Sequence, residues 1–240
     1  MQQEWISIAS HDGGPNGDHY DAYLALPPAG RGPGLLLLQE IFGVNRHIRA
    51  VAEQYALDGF VVLAPDVFWR QAPRVDLGYE GADRQRALAL MQGYTPAQAL
   101  EDIAAGVAAL RARPEAAGAK VGALGYCMGG RMAYLAAATT DVDAAVAFYG
   151  GGIHQQLERA AAIRCPLQFH YAERDEHIPL AAVEQVRRAM AARAGGAAAE
   201  VHVYAGATHG FNCWARASYH APSAALAHGR ATAFLAAALF

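Results

Sequence analysis

The sequence has few cysteines, no strong excess of either charge and no long apolar run, and each absence excludes a class of protein. Its three cysteines, Cys127, Cys165 and Cys213, are an odd number, which argues against a disulfide framework and for reduced thiols. No apolar stretch approaches the ~20 residues that a membrane-spanning helix needs, so we expect no membrane partner. The net charge is −3 with no basic stripe, which argues against nucleic acid as a partner.

Two further absences concern location and cofactors. Residues 1–8, MQQEWISI, contain neither the basic region nor the long apolar region of a secretory signal, so we expect a cytoplasmic protein. Ten histidines could suggest a metal, but no two of them lie three or four residues apart and no Cys-x-x-Cys occurs. We therefore expect neither a metal nor another cofactor.

Short apolar runs alternate along the chain with longer, alanine-rich segments of helical periodicity. Several runs are apolar on successive residues, which is typical of strands buried on both faces of a parallel sheet. The alternation predicts an α/β fold with a mostly parallel central sheet flanked by helices, preceded by an antiparallel pair. No linker is visible, so we expect a single domain over residues 1–240. Predicted strands are Trp5–Ala9, Tyr20–Leu26, Gly34–Gln39, Val61–Ala64, Val121–Gly125, Ala144–Phe148, Leu167–Tyr171 and Glu200–Tyr204; predicted helices lie near Arg46–Asp58, Pro96–Ala112, Gly129–Ala138, Leu180–Ala194 and Ser223–Ala238.

Two segments between these elements are predicted to be irregular. Residues 69–95 carry four arginines and three acidic residues without a clear period, and we expect a long functional loop there. The AGGAAA stretch after Arg193 predicts a helix end followed by a turn, because glycine just past a helix releases the chain from helical geometry.

The motif GYCMGG at residues 125–130 follows an apolar run and precedes a predicted helix. It matches the nucleophile elbow, Gly-x-nucleophile-x-Gly, with cysteine as the nucleophile. Side chains at Gly125 and Gly129 would crowd the strained turn that such an elbow requires. The helix N-terminus that follows favours a thiolate at Cys127. The alternative is a buried structural cysteine beside a glycine-rich turn.

A thiol needs a base, and in this fold the order along the chain is nucleophile, acid, histidine. Asp175 follows one predicted strand and His209 follows the last, so both lie at the sheet edge that carries Cys127. Asp175 would orient the imidazole of His209, whose other nitrogen takes the thiol proton. Competing candidates are Glu173, Glu176 and His177 in the same loop, and His170 and His202 inside strands.

An oxyanion hole needs two N–H donors directed at one point. Met128, which follows the nucleophile, is one candidate, and Ile41, in the loop after the third strand, is the other. Glu40 precedes Ile41 at the end of four leucines. If it faces Cys127 it could hold or protonate the resting thiol; capping or a salt bridge are the alternatives.

Six segments, in order and over most of the chain, resemble the dienelactone hydrolase family. They are QEIFGVN (39–45), APDVFWRQAP (64–73), DRQR (83–86), GYCMGG (125–130), RDEHIP (174–179) and GATHGF (206–211). The resemblance implies the α/β-hydrolase fold, a triad of Cys127, Asp175 and His209, and a resting pair of Glu40 with the cysteine that substrate binding displaces.

The resemblance also implies two arginines that bind a substrate carboxylate. Arg86 matches the first of them. Cys213 stands at the position of the second, and Arg216 is near it in sequence. Leu90 and Gly93 replace expected aromatic residues, so the chain could prefer a different or less charged substrate.

The sequence therefore predicts a carboxylic-ester hydrolase of the carboxymethylenebutenolidase type. We expect it to open a small lactone or enol ester, most simply a dienelactone giving a maleylacetate-type product, through a thioester acyl-enzyme. The expected partner is this small-molecule substrate, and the chain would be a monomer or homodimer. The alternatives are a broad carboxylesterase or thioesterase, and a non-catalytic ligand-binding or redox-sensing protein on the same fold.

Overall fold

The computed structural model describes residues 1–14, 17–193 and 198–240, and all of its strands belong to one sheet. The strands are β1 (Gln3–Gly14), β2 (Gly17–Ala25), β3 (Gly34–Leu38), β4 (Val61–Pro65), β5 (Val121–Tyr126), β6 (Ala144–Phe148), β7 (Leu167–Ala172) and β8 (Ala199–Tyr204). Their order in the sheet is β1-β2-β4-β3-β5-β6-β7-β8. Strand β2 pairs antiparallel with β1 and β4, whereas β3 to β8 pair in parallel. The predicted antiparallel pair and mostly parallel sheet are confirmed.

The five central strands, β3 to β7, are buried along their whole length. These strands can be buried because they carry apolar residues on both faces, so that helices can cover each face of the sheet. The parallel register pairs Leu38 of β3 with Gly125 of β5, and Tyr126 of β5 with Phe148 of β6. The carboxyl ends of these strands therefore meet at one edge of the sheet.

In the part of the chain that the structure describes, six α-helices flank the sheet: α1 (Arg46–Leu57), α2 (Gly81–Gln92), α3 (Pro96–Ala112), α4 (Met128–Thr139), α5 (Leu180–Ala191) and α6 (Ala221–Leu239). Five of them were predicted. Helix α3 begins with a capping box in which Thr95 and Gln98 exchange hydrogen bonds. Its predicted apolar stripe is buried, namely Ala99, Ile103, Val107 and Leu110. Within the described residues, no helix is long and apolar enough to cross a membrane.

The prediction of a long loop over residues 69–95 was wrong in part, because α2 occupies Gly81–Gln92. Only Ala87 and Leu90 are buried in this helix, so it lacks the apolar stripe from which a helix is recognised in a sequence. The turn predicted after Arg193 lies outside the described residues at positions 194–197.

Candidate active site

Four of the predicted site residues follow the carboxyl ends of parallel strands. Glu40 follows β3, Cys127 follows β5, Asp175 follows β7 and His209 follows β8. Loops at this edge carry the reactive groups of open α/β folds, because the strands hold the loop origins in fixed positions. The structure thus brings residues that are up to 169 positions apart in the sequence to one edge of the sheet.

Cys127 lies at a sharp turn between β5 and α4. Its backbone has φ 56° and ψ −114°, a conformation that non-glycine residues rarely adopt. Its N–H donates to the carbonyl oxygen of Phe148 at 3.0 Å, and its carbonyl accepts from Arg131 N at 3.3 Å. These two bonds hold the turn, and the side chain of Cys127 is half-buried at the start of the helix.

The glycines of the motif are required by close backbone contacts, as predicted. A Cβ atom at Gly125 would lie 2.0 Å from the carbonyl oxygen of Gly129. A Cβ at Gly129 would lie 2.1 Å from the carbonyl oxygen of Leu38 and 2.6 Å from that of Gln39. Helix α4 can therefore begin directly against the end of β3 only if these positions have no side chain.

His209 and Asp175 form the hydrogen-bonded pair at the centre of the site. The Nδ1 atom of His209 is 2.8 Å from Asp175 Oδ2. The other carboxylate oxygen of Asp175 accepts from the backbone N–H groups of His177 at 2.9 Å and Ile178 at 3.1 Å. Three hydrogen bonds thus fix the carboxylate, which in turn fixes the imidazole ring.

The environment of His209 makes its imidazole a strong base. Burial lowers the pKa of His209, but hydrogen bonds to Asp175 and Cys127, together with the negative charges of those groups, raise it to about 10. The ring also lies at right angles to that of His177, with centroids 5.0 Å apart, and against Tyr149 at 5.1 Å. The imidazole of His209 therefore holds a proton more tightly than a free imidazole does.

Two of the competing candidates, Glu173 and His170, have other contacts. Glu173 accepts a hydrogen bond from Gly206 N at 2.8 Å and so supports the turn before His209. His170 is fully buried between the hydroxyl of Tyr204 and the side chain of Gln168, each at 2.8 Å. Its burial lowers the pKa of His170 well below the ordinary value, so this ring is neutral.

A cavity of about 240 Å³ opens onto Cys127. Both oxyanion-hole candidates, Ile41 and Met128, line it, and neither backbone N–H donates a hydrogen bond within the described part of the chain. The lining residues are Ile41, Phe42, Arg84, Leu88, Met91, Cys127, Met128, Arg131, Gly151, His177, His209 and Arg216.

Arg216 reaches this cavity and pairs with Glu40. Its Nη1 atom lies 3.1 Å from Glu40 Oε1, and the Glu40 side chain is only 1% exposed. The second oxygen, Oε2, has no hydrogen-bond partner among the described residues. This ion pair is the salt-bridge alternative for Glu40; the resting pair of Glu40 with Cys127 that the resemblance implies stays a prediction. Burial raises the pKa of Glu40, while Arg216 and His209 lower it.

Cys213 does not take part in the cavity lining. It is fully buried, and burial next to the charge of Glu40 raises its pKa to about 12. The thiol therefore stays protonated at ordinary pH. Cys127, Cys165 and Cys213 are all free.

Arg86 is exposed on α2 and is absent from the residues that line the cavity. Arg84 lies two positions earlier, which is more than half a turn round the helix, and lines the cavity with Leu88 and Met91. The structure therefore does not bring Arg86 to the site that the resemblance implies for it. The spacing of Arg84, Leu88 and Met91 could have indicated which side of the helix faces the cavity, because residues four and seven positions apart share a helical face.

Arg131 is a second residue that sequence reasoning missed. It follows Cys127 by four residues on the first turn of α4, and it lines the cavity. Its position one helical turn after Cys127 could have indicated this. Among the described residues, no group of three or more His, Cys, Asp or Glu side chains could hold a metal ion.

Comparison with known proteins identifies similar sequences over nearly the whole chain. A family model described as the dienelactone hydrolase family matches residues 20–239. The carboxymethylenebutenolidase of Pseudomonas putida is 34% identical over 237 residues, which are 98% of this chain and 97% of that protein. A relative from Azospirillum brasilense, to which the same activity is attributed, is 37% identical and covers 95% of this chain and 96% of its own length.

Solved structures share the fold. A crystal structure of a Klebsiella pneumoniae protein described as a dienelactone hydrolase has a TM-score of 0.82 at 32% sequence identity. The similarity covers 97% of this chain and 99% of that one. The predicted α/β-hydrolase fold is confirmed by this match and by the mostly parallel sheet.

Proposed function

Because the chain belongs to the dienelactone hydrolase family and is a carboxylic-ester hydrolase, we propose that it opens small lactones or activated esters through a thioester on Cys127. The observation that carries the proposal is the position of His209, whose Nδ1 atom pairs with Asp175 and which lines the same cavity as Cys127, whose proximity raises the pKa of His209. This is the order nucleophile, base, orienting acid.

The first half of the reaction forms the acyl-enzyme. His209 takes the proton of Cys127, and the thiolate sulfur attacks the carbonyl carbon of the substrate. The negative oxygen of the tetrahedral intermediate is then held by the N–H groups of Ile41 and Met128, which line the same cavity. When the intermediate collapses, the C–O bond to the leaving group breaks and the imidazolium of His209 protonates the departing oxygen.

The second half hydrolyses the thioester. His209, again neutral, takes a proton from water, and the hydroxide attacks the acyl carbon. The C–S bond breaks, the carboxylic acid leaves and the proton returns to sulfur. Enol and aryl esters suit this site because their leaving oxygens are weakly basic, whereas an amide nitrogen departs less readily. A dienelactone, whose ring oxygen leaves as an enolate, would give a maleylacetate-type product.

Arg216 lines the cavity in this proposal, and Glu40 pairs with it from the buried interior. The ion pair holds the guanidinium of Arg216 beside Cys127 and leaves little net charge there. We place the reaction in the cytoplasm, because Cys127, Cys165 and Cys213 are all unpaired and a reducing compartment keeps thiols in that state.

The test is hydrolysis of cis- and trans-dienelactone beside a neutral aryl ester, followed by ultraviolet absorbance. Wild type, Cys127→Ala and the matched thiol control Cys165→Ala are compared. We expect dienelactone turnover to fall at least about 10⁴-fold in Cys127→Ala, as expected for loss of a nucleophile, and to persist in Cys165→Ala. Unchanged turnover in Cys127→Ala would falsify the proposal. Turnover of the neutral ester alone would favour a broad carboxylesterase.

A further inference from the structure

The cavity at Cys127 has an unusual charge composition. Three arginines, Arg84, Arg131 and Arg216, line it, and no Asp or Glu is among the described residues that do so. Its volume of about 240 Å³ is that of a small molecule. A cluster of guanidinium groups in so small a space repels itself unless anions balance it.

Arg216 already has its balancing anion. The carboxylate of Glu40 lies 3.1 Å from it and is almost completely shielded from solvent. This pair contributes little net charge to the cavity, so the charge available to a ligand comes from the other two arginines.

Arg84 and Arg131 have no carboxylate within ion-pair distance in the part of the chain that the structure describes. The acidic neighbour of Arg84, Asp83, accepts a hydrogen bond from Gly78 N at 2.8 Å and is thus directed to that turn. Arg131 lies against the loop after β6, where a Cβ at Gly152 would be 3.3 Å from its Nη1 atom. The two arginines line the cavity from different helices, α2 and α4.

We propose that this cavity selects esters or lactones that carry two anionic groups, one held by Arg84 and the other by Arg131. Two arginines on different helices can each bind one carboxylate of the same small molecule. Such a ligand balances both positive charges, whereas a single carboxylate shared between them does not. Guanidinium groups suit this role because they donate two parallel hydrogen bonds to a carboxylate. The inference rests on the proposed function, since the cavity is that of Cys127.

Competitive inhibition tests the proposal without requiring a particular substrate. Malonate, succinate, glutarate and adipate, each beside its monomethyl ester, are measured as inhibitors of 4-nitrophenyl acetate hydrolysis. The series varies the distance between the two charges. We expect the inhibition constant of the best dicarboxylate to be at least about tenfold lower than that of its monomethyl ester, because one charge-assisted hydrogen bond contributes at least that factor.

Variants assign the effect to residues. Arg84→Gln and Arg131→Gln should each remove the advantage of the dicarboxylate over its monoester. Arg86→Gln removes the same charge from the same helix outside the cavity, and should keep the advantage. Because neither Arg84 nor Arg131 forms an ion pair with any described residue, we expect both glutamine variants to keep the thermal midpoint of wild type.

The inference is overturned if no dicarboxylate inhibits better than its monoester, if the advantage survives in both cavity variants, or if Arg86→Gln removes it. These outcomes are distinct from failure of the proposed function. Ester turnover that depends on Cys127 without any dicarboxylate preference overturns the inference alone. Turnover that is unaffected by Cys127→Ala overturns the proposed function.

Discussion

The nucleophile elbow (residues 125–130) and the arginine wall (Arg84, Arg131 and Arg216) line the same cavity but are determined differently. In the elbow, neighbouring backbone atoms exclude any residue other than glycine at position 129, because a Cβ atom there would lie 2.1 Å from the carbonyl oxygen of Leu38. In the wall, the position of each charge depends on which face of a helix or loop a side chain occupies. The backbone thus fixes the position of the proposed nucleophile, whereas the proposed selectivity depends on side chains that can change without altering the fold.

Among variants that keep Cys127, the largest effect should come from a change at Asp175, the proposed partner of His209. In Asp175→Asn the amide can still accept from the N–H groups of His177 and Ile178, so the loop should fold. The amide no longer stabilises the imidazolium of His209, and we expect kcat/KM for an aryl ester to fall about 10³- to 10⁴-fold. Glu176→Gln, the exposed neighbour, is the control. A loss smaller than about tenfold in Asp175→Asn would contradict the assignment of Asp175.

A second test asks whether the elbow is fixed by its backbone. Gly129→Ala introduces a Cβ where two carbonyl oxygens already lie, and we expect a loss of about 4 kcal/mol or more in the free energy of unfolding, measured in urea. Gly229→Ala, in α6, meets nothing within 4 Å. It should be neutral or stabilising by up to about 1 kcal/mol. Equal stabilities of the two variants would show that the elbow tolerates a side chain.

A third test concerns the arginine wall. Arg216→Gln leaves the buried carboxylate of Glu40 without its counter-charge, and we expect a cost of about 3 kcal/mol in unfolding free energy at pH 8. Burial raises the pKa of Glu40, and loss of Arg216 removes a group that lowers it. The folded variant therefore binds a proton more readily than the unfolded chain, and its deficit should shrink as the pH falls.

The double variant Glu40→Gln/Arg216→Gln serves as the control for this pair. Removing both charges should recover most of the stability lost in Arg216→Gln, because no buried charge is then left unpaired. If the double variant is as unstable as the single one, the ion pair does not account for the position of Arg216.

The smallest expected effect is the pH dependence of the His209–Asp175 pair. The folded pKa of His209, about 10, lies above its ordinary value of 6.5. Its stabilising contribution is therefore complete below about pH 6.5 and is lost as the pH rises through about 10. The difference in unfolding free energy between wild type and Asp175→Asn should shrink by about 1 kcal/mol or more over that interval. A difference that stays constant with pH would mean that the pair is not charged.

The sequence predicts the elbow well because its pattern is local and geometric. A glycine pair around Cys127, and the order Cys127, Asp175, His209, require no knowledge of how side chains pack. The arginine wall could not be predicted in the same way. Helix α2 lacks a buried stripe, so neither its existence nor its orientation was evident, and the resemblance indicated Arg86 where the structure has Arg84.

The ion pair of Glu40 with Arg216 illustrates the same limit. The two residues lie 176 positions apart, and only the folded chain brings Arg216 of the 211–220 segment to the end of β3. Cys213, three residues earlier, turns its thiol into the interior instead. Local sequence could not decide which of these two side chains faces the cavity.

The most direct test of the account is to trap the acyl-enzyme. Wild-type protein is mixed with 4-nitrophenyl acetate, quenched in acid within the first turnover, digested and examined by mass spectrometry. The account predicts one acetyl group on the peptide that contains Cys127, removed by neutral hydroxylamine as a thioester is. Turnover of the ester with no acetyl group on Cys127, or with the label on another residue, would contradict it.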